Sequence, residues 1–112
     1  MCTHETLVVK IDRRVGGRNF RQYNVHERIS DSGMEIFEFP LNPFLLQDSN
    51  VGYIGHNLIL KLNDIDGIEQ VALKPFCLYV EKNSAFTWKE LESDILFTLE
   101  SAVGKPVVIK VR

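Results

Sequence analysis

One segment leaves the chain little freedom. In Thr87-Trp88-Lys89-Glu90 a threonine stands three residues ahead of a glutamate. Its hydroxyl can accept from the Glu90 backbone N–H while the carboxylate reaches back to the Thr87 N–H, so two donors at a helix start are satisfied together. Behind this box Trp88, Leu91, Ile95, Leu99 and Ala102 recur along one stripe, and Glu90, Glu92, Asp94 and Glu100 fall largely off it. Gly104-Lys105-Pro106 stops the pattern. The spacing predicts an amphipathic helix over residues 87–101, and its apolar face demands a second layer to bury it.

Strands are the source of that layer. Residues 7–11 (Leu-Val-Val-Lys-Ile) read as a first strand, broken by Gly16-Gly17. Phe20, Tyr23, Val25 and Ile29 punctuate a polar stretch. There Phe20–Val25 is either a strand pairing back on the first or an ordered loop. Residues 34–41 alternate, with Met34 and Ile36 on one side and Phe37 and Phe39 on the other, up to Pro40. Asn42-Pro43 opens a connection that carries the apolar patch Phe44-Leu45-Leu46. Within residues 49–66, Leu58, Leu62 and Ile65 recur at helical spacing. Ser49, Asn50 or the pair His56-Asn57 marks the start of this helix, and Asp66-Gly67 its end. Residues 68–73 and 76–82 form a hairpin around Lys74-Pro75, and residues 107–111 close the chain as a strand. The expectation is a two-layer α+β domain, with two helices packed on one face of an antiparallel or mixed sheet. With 112 residues there is room for one core, so residues 1–112 are expected to form a single domain.

Composition narrows the chemistry. A formal net charge of −2 excludes a uniformly basic nucleic-acid coat and a polyacidic tail. Cys2 and Cys77 are far apart and no CxxC occurs, which argues against a disulfide framework and excludes a cysteine-rich zinc or iron–sulfur site within one chain. Two reduced thiols, no signal-peptide pattern after Met1 and only short apolar runs lead to an expected cytoplasmic location without a membrane partner. His4, His26 and His56 have no metal-ligand spacing. Cys77 has no flanking base and is expected to be structural. Gly16-Gly17 lacks the phosphate-loop context and reads as a turn, and no serine sits in GxSxG. No catalytic constellation emerges, so neither an enzyme nor a bound cofactor or metal is expected.

Charge is unevenly placed. Residues 1–30 hold six basic residues against three acidic ones, and five of the six are Arg13, Arg14, Arg18, Arg21 and Arg28. Arginines interleaved with Phe20, Tyr23 and His26 could contact phosphates and stack on bases. The plainer reading is a solvated basic loop, or one that pairs with the acidic helix of the same domain.

A family resemblance enters at residues 58–102. Residues 58–68 (Leu-Ile-Leu-Lys-Leu-Asn-Asp-Ile-Asp-Gly-Ile) resemble the "PLA..LF.I.GV" signature of the N-terminal domain of Nfu/NifU-like iron–sulfur cluster scaffold proteins. Residues 76–82 resemble that domain's "FITVTK" strand, and residues 88–95 its "W..LK..I" helix start, in the same order. Residues 34–40 match its "TLKF.PG" strand more loosely. The chain departs from the family in four places. Residues 13–33 stand where "PTPNP" is usual, His56-Asn57 replaces Ser-Pro, a strand follows the last helix, and the cluster-ligating CxxC of the family's separate C-terminal domain is absent. The resemblance implies a copy of the domain without the CxxC domain. Such a copy would be a non-catalytic module accessory to iron–sulfur cluster assembly or delivery, working through a protein partner. Its candidate contact surface is then the basic segment with Arg13, Arg14, Arg18, Arg21 and Arg28. A small nucleic-acid-binding domain using residues 13–28 is the alternative.

Overall fold

The computed structural model describes residues 6–13 and 16–110. Among them the chain order is β1 (Leu7–Asp12), β2 (Phe20–Val25), β3 (Glu35–Glu38), α1 (Pro43–Asp48), α2 (Gly52–Leu62), β4 (Ile68–Lys74), β5 (Cys77–Lys82), α3 (Trp88–Val103) and β6 (Val107–Lys110). The strands form one mixed sheet in the order β3-β4-β5-β2-β1-β6. Every neighbouring pair is antiparallel except β1 and β6, which run parallel.

Strand alternation selects the face that is covered. The registers Phe37↔Val71↔Val80 and Leu73↔Leu78↔Tyr23 lay buried side chains in rows across four strands. Leu58, Ile59 and Leu62 of α2 and Leu91, Ile95 and Leu99 of α3 close over these rows in one core. The α+β two-layer expectation holds. The α3 caps hold as well. The Glu90 N–H donates to Thr87 Oγ1 at 3.2 Å, the Thr87 N–H donates to Glu90 Oε1 at 2.8 Å, and Gly104 ends the helix at φ +83°.

The structure departs from expectation in three places. First, it has a third helix. Residues 43–48 are not a plain connection but α1, because Asn42 Oδ1 accepts the Phe44 N–H at 3.0 Å and Pro43 fits the first helical turn. Leu46 of the apolar patch is buried, while Phe44 and Leu45 remain outside. Second, α2 starts at Gly52 with no side-chain cap, at none of the expected residues. Gly52 has φ +86°, and the Asp31 carboxylate lies where a Cβ at that position would stand. An acidic group from a distant loop thus sits at the positive end of the helix. Third, α2 ends at Leu62 rather than at Gly67, although Ile65 in the following turn still packs on the core. Phe20–Val25 resolves as a strand, not a loop, and lies between β1 and β5. The last expected strand is present as β6, with Val111 outside the described residues.

Candidate functional site

The basic segment does not present its arginines as one stripe. Arg21 lies on the helix-covered face, in the row that continues Phe37, Val71 and Val80. Its side chain is only 16% exposed, and Nη1 donates to Glu92 Oε2 of α3 at 2.6 Å. The same guanidinium sits 4.9 Å from the Trp88 ring centroid, within cation–π range. Arg13 approaches the other Glu92 oxygen at 4.0 Å while remaining 58% exposed. Arg18 is exposed, and its carbonyl accepts the Trp88 indole N–H at 2.7 Å. Arg28 is past the far end of β2, with its guanidinium 5.6 Å from the Phe76 centroid. A strand of β2's length separates it from the others by roughly 20 Å. Arg14 lies outside the described residues.

Glu92 is the hub at which the basic segment pairs with the acidic helix of the same domain, one of the two plainer readings of that segment. Besides Arg21 and Arg13 it accepts a hydrogen bond from the Tyr23 hydroxyl at 3.1 Å. Tyr23 is fully buried. That burial, and then the charge and hydrogen bond of Glu92, push its phenol well above the usual range, so it stays protonated and serves as a donor. Lys82 is buried beside this group. Its ammonium donates to Asn19 Oδ1 at 3.1 Å and to the Asn83 carbonyl at 3.4 Å, 5.9 Å from the Trp88 centroid. Part of the basic segment is therefore a brace between the sheet and α3. The signal that could have revealed it is the place of Glu92, four residues after Trp88 and three before Ile95 beside the apolar stripe, opposite a strand that alternates Arg21 and Tyr23 inward.

None of the described helices covers the sheet's other face, where Met34 and Ile36 are exposed. Phe20 and Tyr79 stack there at 5.6 Å between centroids. Gln22, Met34, Ile36, Ala72 and Cys77 line a shallow depression of about 330 Å3. Burial pushes the Cys77 thiol up, opposed by Lys74 and by a hydrogen bond with Gln22. A thiol held neutral is a weak nucleophile and a weak metal ligand. His26 lies near this face's rim, with Nδ1 3.2 Å from the Val8 N–H, and His56 is exposed on α2. His4 and Cys2 lie outside the described residues. Among the described residues no three histidine, cysteine or carboxylate side chains gather to hold a metal ion, and no helix is long and apolar enough to cross a membrane.

The class is thus an α+β domain with helices on one face of a six-stranded mixed sheet. No protein-family model matches the chain, and no curated protein does. Solved structures share the fold. The NMR structure of a NifU-like protein from Saccharomyces cerevisiae aligns with a TM-score of 0.62 and 16% identity, over 96% of this chain and 89% of that one. The X-ray structure of protein SAV1430 from Staphylococcus aureus aligns with a TM-score of 0.52 and 11% identity, over 88% of this chain and 98% of that one. Identities this low show a common fold. This chain has the fold of a NifU-like protein, as the resemblance at residues 58–102 implied.

Proposed function

We propose that the chain is a non-catalytic interaction module, accessory to iron–sulfur cluster assembly or delivery and acting through a protein partner in the cytoplasm. The supporting observation is the fold shared with a NifU-like protein over 96% of the chain. In the family that residues 58–102 resemble, the cluster is held by a separate CxxC domain, and this sequence contains no CxxC. The work left to such a module is protein contact. Its contact surface is the basic segment, with Arg13, Arg14, Arg18 and Arg28 as the contacting side chains. Arg21, turned inward to Glu92, is the residue that positions the segment. No described feature favours the nucleic-acid reading, because the described arginines divide between two ends of β2.

The test is an affinity pull-down from native lysate, with and without nuclease, read by mass spectrometry. An Arg13→Glu/Arg14→Glu/Arg18→Glu variant runs beside it. The expected result is nuclease-resistant enrichment of cluster-assembly or cluster-receiving proteins, lost in the variant. Enrichment that disappears with nuclease would replace this reading with nucleic-acid binding.

A further inference from the structure

On the other flank of α3 lies a trough of about 440 Å3, between that helix and the turn joining α2 to β4. Its apolar wall is built by Ile65, Phe86, Leu91 and Phe97. Phe97 is 66% exposed, an aromatic ring held at the rim and largely uncovered. The trough is open along its length rather than enclosed, a shape that suits an extended chain better than a small molecule.

The charge at the rim says what kind of chain. Asp64 and Asp66 on the turn and Asp94 on α3 are exposed and line the trough. None of the three carboxylates makes an ion pair or a side-chain hydrogen bond among the described residues. A fourth carboxylate, Glu90, is occupied by the Thr87 cap. Among the described residues no lysine or arginine lines the trough. Neighbouring uncompensated carboxylates repel one another and create a field that draws in cations and turns away acidic peptides, nucleic acid and anionic lipid.

We propose that this trough docks a short basic segment of a partner protein, with a large apolar side chain seated against Phe97 and Phe86 and flanking lysines or arginines set on Asp64, Asp66 and Asp94. The docking is separate from the basic segment. Glu90, Asp94 and Phe97 follow one another at helical spacing on the α2 side of α3, whereas Glu92 faces β2. It does not depend on the iron–sulfur reading, and either can fail alone.

The experiment pans a random-peptide phage library against the intact chain and measures the winning peptides by fluorescence anisotropy. Binding is compared among the intact chain, an Asp64→Asn/Asp66→Asn/Asp94→Asn variant, a Phe97→Ala variant and the Arg13→Glu/Arg14→Glu/Arg18→Glu variant. The altered residues in the first two variants are exposed, and matching urea midpoints establish that those variants are folded. The expected winners combine lysine or arginine with a large apolar residue and weaken with salt. They should lose roughly tenfold or more in affinity to each trough variant and nothing to the arginine variant. Neutral or acidic winners, no enrichment, or equal binding to the trough variants would overturn the proposal. So would salt-sensitive self-association of the chain abolished by the aspartate variant, which would make a second copy's arginine segment the occupant.

Discussion

Arg21 and Glu92 close a 2.6 Å ion pair that fastens the second strand to the third helix. Both side chains are mostly screened from water, and the Tyr23 hydroxyl shares the same carboxylate oxygen. Charge-assisted hydrogen bonds in such a setting are stronger than those of exposed pairs. The contact bridges 71 residues of sequence, so it couples the strand layer to the helix layer where the basic segment meets α3.

Replacing Glu92 by alanine therefore leaves Arg21 and Tyr23 as unpaired donors. The expected loss is about 2 kcal/mol of unfolding free energy, the range for a charge-assisted bond with its partner stranded. Urea denaturation measures it. A loss no larger than that of a fully exposed ion pair would mean that solvent already satisfies Arg21.

Tyr23 makes stability depend on alkaline pH. Its folded-state pKa is raised above the ordinary phenol value of 10.0 by burial first and by Glu92 second. The folded chain keeps the proton where the unfolded chain releases it. This contribution is complete below about pH 10 and is lost as pH rises beyond it. The intact chain should thus lose more stability than a Tyr23→Phe variant between about pH 9 and about pH 11, as seen in urea midpoints. Parallel profiles would show that Tyr23 ionises equally easily in both states.

Gly67 joins a backbone demand to a packing demand. Its φ is +99°, and a Cβ there would stand 2.7 Å from the Phe86 ring. Gly67→Ala should destabilise by more than about 1 kcal/mol. Gly17 has φ +115° with open space around it, so Gly17→Ala isolates the backbone share. Equal losses at the two positions would mean that Phe86 simply moves aside.

Cys77 should react slowly. Burial holds its thiol protonated, and the thiolate is the nucleophile. In a Cys2→Ser chain, iodoacetamide should modify native Cys77 roughly tenfold more slowly at pH 8 than the urea-unfolded chain. Similar rates in the two states would place the thiol in open solvent.

Much of the architecture was legible before folding because it is locally encoded. The Thr87–Glu90 box, the stripe from Trp88 to Ala102 and the hairpin about Pro75 depend on residues a few positions apart, and each formed as expected. Asn42-Pro43 was an equally local signal, a cap followed by a first-turn proline, in a helix of six residues too short to show a period. The arginine segment was legible as an excess of charge, but its division was not. Glu92 claims Arg21 and faces Arg13, while Phe76 stands under Arg28.

By itself, the sequence determined the periodicities, the helix caps and the α+β class, since these follow from how neighbouring residues share a turn or alternate across a strand. Only the tertiary structure decided that β2 runs between β1 and β5, that β6 joins β1 in parallel, and that Asp31 meets the start of α2. It also decided that three carboxylates gather beside Phe97 with no cationic side chain among the described residues lining the same trough. Each of these joins groups distant along the chain, and such meetings are set by how the layers close on one core, which no local pattern encodes.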